Sequence, residues 1–220
     1  MLSDAERLIG EPFTQEGLIK AFHDNGSFSK HLLAIYSLAI GCSARMMAEI
    51  GIGTSTRALL AAAQTTNGRL YSCSTQPERH EELLNLYPVT KRWRLSLAAP
   101  LKFATSLPEP LDFVLHRDAT DSNSLEMVLD ALLPRMRQFG IIVIHDTQHP
   151  HQGRALSEGV RRIASRHEIT SVTLPYSGGL TVVRVEESAQ PPIVPAGRFK
   201  GSRLITEPFS TGNRITGMSV

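Results

Sequence analysis

The feature that most limits how this chain can fold is a rhythm that is kept for most of its length and then broken. Short apolar runs at Met46 to Ile50, Arg69 to Ser74, Arg92 to Leu97, Leu111 to His116, Gly140 to His145, Ile169 to Leu174 and Leu180 to Val185 read as seven strands. Helical segments at Thr54 to Gln64, Pro77 to Leu86, Ser122 to Met136 and Arg154 to Arg166 separate most of them. Strands alternating with helices of about 10 to 15 residues imply a parallel sheet covered on both faces. The last two runs are joined only by Pro175-Tyr176-Ser177-Gly178-Gly179, too short for a crossover helix, so they form an antiparallel hairpin. The expected architecture is α/β: a doubly wound seven-stranded sheet, mostly parallel, with one antiparallel edge strand and helices on both faces.

The 220 residues exceed one average domain and fall short of two. The chain divides into a helical cap over 1–44, the α/β domain over 45–187 and a Pro/Gly-rich extension over 188–220. Ser3 and Glu6 have capping-box spacing, Pro12 and Gly17 interrupt the first helices, and Ser29 caps a segment whose Leu32, Leu33, Tyr36, Ala39 and Ile40 recur at helical spacing. The extension has no periodicity, yet Ile193, Val194, Phe199, Leu204, Ile205, Phe209, Ile215 and Met218 need a surface to cover. A homodimer whose extension packs on the partner, or closes over an active-site mouth, is the expected solution.

Charge and cysteine usage exclude several classes. A net charge of +2 from 23 basic and 21 acidic residues supplies no concentrated basic face for nucleic acid. Cys42 and Cys73 lack metal or redox spacing, which suits a reducing compartment. An acid stands where a secretory signal would be basic, and the most apolar stretch, Leu32 to Cys42, is shorter than the ~20 residues that span a bilayer. The expectation is a soluble cytoplasmic protein acting on a small molecule, without nucleic acid or membrane. Trp93 reads as core or interface rather than a nucleobase platform, and Cys73 as a small buried hydrophobe; Arg161, Arg162 and Arg166 read as the solvated face of a helix.

The chemistry begins at Ala48-Glu49-Ile50-Gly51-Ile52-Gly53-Thr54-Ser55-Thr56. Two glycines one residue apart permit a sharp turn, and the following helix points unpaired amides and its positive end into that turn. An anionic or zwitterionic ligand fits there, with Glu49 at the strand end able to hold an ammonium group. A nicotinamide dehydrogenase would carry a third glycine where Thr56 stands. A second cluster, His116, Asp118, His145, Asp146, His149 and His151, follows strands four and five, on the edge where doubly wound sheets bind ligands. A histidine oriented by a neighbouring carboxylate can take a hydroxyl proton. Alternatively, Asp118 and Asp146 offer oxygen ligands to a divalent metal, or these residues are structural.

Together with the closing hairpin, the glycine turn resembles the first motif of the class I S-adenosylmethionine-dependent methyltransferases, over roughly Arg45 to Val185. Gly140-Ile141-Ile142-Val143-Ile144-His145-Asp146-Thr147 resembles the fifth-strand motif of their small-molecule O-methyltransferases, and Leu111-Asp112-Phe113-Val114-Leu115 the strand leading to their acidic loop. The resemblance implies a Rossmann-like fold and S-adenosylmethionine as cofactor. It places Glu49, Gly51 and Gly53 at the methionine end, with Thr54 and Ser55 of the same turn and Ser74 and Gln76 after the second strand as further cofactor candidates; His145, Asp146 and His116, by their place after strands four and five, are the candidates for the chemistry. Two positions depart from the pattern. After the second strand no carboxylate occurs before Glu78, so ribose recognition falls to neutral Ser74 or Gln76. After the fourth, Arg117 stands where metal-binding relatives carry Asp, and the acid shifts to Asp118. These departures favour a second reading, a catalytically silent methyltransferase-fold protein that binds a ligand or serves in assembly.

Overall fold

The computed structural model describes residues 29–87, 91–176 and 178–186. The Ser3/Glu6 capping box, Pro12, Gly17 and the extension over 188–220 lie outside the described residues. A helix α1 (Ser29–Gly41) leads into β1 (Met46–Ile50), α2 (Thr54–Thr65), β2 (Arg69–Ser74), α3 (Pro77–Leu86), β3 (Trp93–Leu97) and α4 (Pro100–Ser106). There follow β4 (Leu111–His116), α5 (Ser122–Leu132), a 3-10 turn (Leu133–Arg135), β5 (Met136–His145), α6 (Gly153–Ala164), β6 (Ile169–Leu174) and β7 (Leu180–Val185).

The seven strands form one sheet in the order β3-β2-β1-β4-β5-β7-β6. Strands β1 to β5 are parallel, and β7 runs antiparallel to both β5 and β6. The reversed strand thus sits one place in from the edge, which β6 occupies. A five-residue link obliges β6 and β7 to pair with each other, and β7 then fills the free flank of β5. Central β4 is buried along its whole length, as a parallel strand covered on both faces must be.

Strand alternation sorts the core into two layers. Met47, Leu70, Trp93, Phe113, Leu115, Val143 and Leu180 face α1, α2 and α3. Ala48, Ile50, Val114, Ile142, Ile144 and Val183 face α4, α5 and α6. Trp93 and Cys73 are both core residues. Leu32, Ile35, Tyr36 and Ala39 bind α1 into the first layer, so this helix is part of the fold rather than a detachable cap.

The structure departs from the sequence expectation at several places: β3 starts at Trp93 instead of Arg92, α2 ends at Thr65 instead of Gln64, and α6 runs Gly153–Ala164 instead of Arg154 to Arg166. Pro134 lacks the donor that would continue α5, so the helix stops at Leu132 and β5 starts at Met136 instead of Gly140. The seven-residue α4, begun by Pro100 at its first position, is too short to show a period. Arg162 on α6 donates to Glu126 at 2.7 Å, and Arg166 just beyond it to Asp130 at 3.1 Å, so these two arginines lean on α5 instead of facing only water.

Candidate active site

The carboxyl edge of the sheet brings together the ends of β1, β4 and β5. At β1, Gly51 adopts φ +85°, a left-handed conformation that suits glycine, and its amide continues the ladder to Cys73 at 3.0 Å. Thr56 closes the start of α2, its hydroxyl accepting the Gly53 amide at 3.1 Å. Ser55 lies buried in the first turn of α2, and Thr54, the first residue, is exposed.

Glu49 does not project into the turn. It is fully buried and accepts from Ser55 Oγ at 2.7 Å, Thr56 Oγ1 at 2.8 Å and Ser72 Oγ at 3.0 Å. Trp93 Nε1 in turn donates to Ser72 Oγ at 3.1 Å. Burial pushes the Glu49 carboxyl up to about 7, against the pull of the hydroxyls and of Arg117. The acid therefore braces β1, β2 and α2 around the turn.

Beyond β4, the Arg117 amide extends the pairing with β1 by donating to the Ile50 carbonyl at 2.8 Å. Its guanidinium lies against Gly53 and the Asp118 carboxylate against Gly51; a Cβ at either glycine would overlap them. His116 points to the other face of the sheet from Glu49 and is fully enclosed; burial pushes it down to about 4, and its Nδ1 has no hydrogen-bond partner. Ser74 is also buried, and its hydroxyl accepts the Gln76 amide at 3.0 Å and donates to the Gln76 carbonyl at 3.2 Å. Gln76 caps the start of α3 and is exposed.

At β5 the expected pair forms: His145 Nδ1 lies 2.9 Å from Asp146 Oδ1. Its other nitrogen, Nε2, lies 2.8 Å from Nδ1 of His31 on α1. His145 is 4% and His31 1% exposed, whereas the Asp146 side chain is 28% exposed. Burial pushes both histidines down, His31 to about 4. Asp146 has φ +61°, an uncommon conformation for a residue with a side chain, though one that Asp tolerates better than most. The β6–β7 turn presses on it: a Cβ at Gly178 would come within 2.5 Å of Asp146 Oδ1, and Gln148 donates to the Gly178 carbonyl at 2.7 Å. His149 and His151 sit in the loop before α6, their rings 5.5 Å apart.

Of the expected site residues, the fold thus gathers Gly51, Gly53, Asp118, His145 and Asp146 at one edge. Glu49 and Ser55 lie just beneath it, and His116 is turned away. Among the described residues no group of three or more His, Cys, Asp or Glu side chains is placed to hold a metal ion. The sequence reading missed His31, Ser72 and the bracing role of Thr56. Thr56 was legible as a hydroxyl three residues after Gly53, the spacing of a capping box, but His31 is 114 residues from His145 and carried no signal.

Residues 48–147 match the family model described as a methyltransferase domain. No curated protein matches the chain. Among solved structures, a Podospora anserina methyltransferase bound to S-adenosylhomocysteine superposes with a TM-score of 0.61 at 16% identity, over 84% of this chain and 89% of that one. An O-methyltransferase of tomaymycin synthesis from Streptomyces achromogenes, in complex with S-adenosylmethionine, gives 0.57 at 20% identity, over 79% and 91%. A Bacillus cereus O-methyltransferase with S-adenosylhomocysteine gives 0.59 at 16% identity, over 84% and 92%. Residues 48–147 thus resemble a methyltransferase domain, and the chain shares the Rossmann-like fold of these solved methyltransferases.

Proposed function

We propose that the protein transfers a methyl group from S-adenosylmethionine to a small molecule, at oxygen. The observation that carries this reading is the glycine turn at the mouth of α2, with the His145–Asp146 pair on the same edge. Gly51 and Gly53 give the methionine end a backbone it can approach closely, and the amino end of α2 attracts its carboxylate. The side chains lying on those glycines are the ends of Arg117 and Asp118, which a bound cofactor would displace. Ser55, Thr54 and Glu49 frame the turn, and Ser74 and Gln76 stand at the ribose position. When bound, the cofactor supplies an activated methyl group, so the chain has to align the acceptor and receive its proton. Both nitrogens of His145 are engaged, and Asp146 is the more exposed member of the pair. Asp146 therefore takes the acceptor's proton, and His145 orients it.

The second reading, a silent ligand-binding or assembly protein, is favoured by one feature. Arg117 and Asp118 fill the approach to both glycines, and the Ser74 hydroxyl is occupied by its own turn. Calorimetric titration with S-adenosylmethionine, S-adenosylhomocysteine and a nicotinamide dinucleotide decides. Binding of the first two alone supports the methyltransferase, and methyl transfer over a panel of hydroxyl acceptors then separates it from the silent protein. No binding of either overturns the cofactor assignment.

The assembly we propose is a cytoplasmic homodimer in which residues 188–220 cover the partner or the site mouth. No helix among the described residues is long and apolar enough to cross a membrane. Light scattering on the full chain and on one ending at Glu187 tests it: a monomeric full chain refutes the dimer.

A further inference from the structure

With both rings neutral, the contacts of His145 admit one arrangement of protons. A carboxylate accepts and never donates, so the 2.9 Å contact with Asp146 puts a proton on His145 Nδ1. A neutral imidazole has one donor and one acceptor, and burial keeps both rings in that form near neutral pH. His145 Nε2 is then an acceptor, and its neighbour at 2.8 Å, His31 Nδ1, must donate to it. The chain of bonds runs from His31 Nδ1–H to His145 Nε2, and from His145 Nδ1–H to Asp146 Oδ1. We propose that His31 is a positioning residue of the active site, holding His145 in the tautomer that grips Asp146 and so aiming that carboxylate at the rim.

Three observations bear on this. The His31 ring is itself fixed, edge-on to His145 with centroids 4.8 Å apart and edge-on to Tyr176 at 5.2 Å. Asp146 stands on a left-handed backbone, which a residue with a side chain keeps only where surrounding contacts hold it. His31 comes from α1, whose apolar residues pack on the first layer of the core, so this histidine links that helix to the loop after β5. Orientation of a ligating or catalytic side chain by the partner on the far side of an imidazole is a general device, and its loss is felt at the reacting group. Arg117 is the cation whose field reaches both rings, and it opposes their protonation.

The inference deepens the methyl-transfer reading and rests on it for its purpose, but its test does not require turnover. Ring-nitrogen NMR on the full-length protein reports the tautomer of each histidine. The expected result is a protonated Nδ1 and an unprotonated Nε2 on both His31 and His145. Asp146→Ala, which removes a group that His31 does not touch, should release both rings from this tautomer. His31→Phe should shift the His145 Nε2 signal and the Asp146 carboxyl carbon, and His31→Asn, whose amide can donate from a similar place, should restore them. A His31 ring protonated at Nε2 in the native protein, or one unmoved by Asp146→Ala, would overturn the proposal. Should His31→Phe fail to fold, the Asp146→Ala spectrum decides alone. Calorimetry with S-adenosylhomocysteine on the native protein stays separate: absence of binding there sinks the methyl-transfer reading and leaves the ring signals to judge the relay.

Discussion

Two carboxylates end two strands on the same edge of this sheet, and their surroundings set them to different work. Glu49, at the end of β1, is fully buried and satisfied by three hydroxyls from β2 and α2. Asp146, just past β5, has one imidazole partner, a left-handed backbone and a side chain 28% exposed. A fully buried acid cannot be reached by a ligand, whereas a tethered and partly exposed one can. Glu49 braces the glycine turn from below, and in the proposed reaction Asp146 is the group that meets the acceptor.

The contrast breaks most readily at Asp146. Asp146→Ala should lower methyl transfer by ~100-fold or more with S-adenosylhomocysteine affinity nearly unchanged, and EDTA should leave the native rate intact. Loss of activity in EDTA with recovery on adding Mg²⁺ would instead make Asp146 a metal ligand. Next comes the turn above Glu49. Gly51→Val places a branched side chain at φ +85° and onto Asp118, so it should abolish S-adenosylhomocysteine binding and lower stability by about 1–2 kcal/mol, read by calorimetry and urea unfolding. Retained affinity in a folded variant would remove the turn from the cofactor site.

A third test sharpens the claim that Glu49 is internal. Its pKa rises from 4.5 in the open chain to about 7 in the fold, so the folded state holds the extra proton. The stability it contributes is complete below about pH 4.5 and is lost as pH rises through about 7, on the order of 3 kcal/mol. His31 and His116 act in the opposite sense: lowered from 6.5 to about 4, they contribute stability that is present above 6.5 and lost as pH falls toward 4. Glu49→Gln removes only the first term, so unfolding free energies should show this variant gaining on the native protein between pH 5 and 8. Parallel curves would mean that Glu49 ionises freely and faces solvent. The smallest effect belongs to Arg117→Ala, which should tighten S-adenosylhomocysteine binding several-fold by clearing Gly53; weaker binding would show that the guanidinium holds the ligand.

Much of the fold was legible because strands and helices leave periodic marks that need no tertiary information. Six elements, among them Met46–Ile50 and Leu180–Val185, agree with the structure to the residue at both ends. Pro134 and the short α4 were misread because a single proline or one helical turn outweighs periodicity locally. At the site, the glycine spacing and the adjacent His145 and Asp146 were legible since each is local in sequence.

By itself, then, the sequence determined the alternation of elements, the closing hairpin, the glycine turn and the kinds of groups available at the carboxyl edge. Tertiary structure decided which of those groups reach the surface of that edge, because direction and burial depend on residues far apart in the chain. It inserted β7 between β5 and β6, turned His116 to the far face and buried Glu49 under hydroxyls from β2 and α2. It also set His31 against a histidine 114 residues away, a contact that exists only once α1 has packed on the sheet.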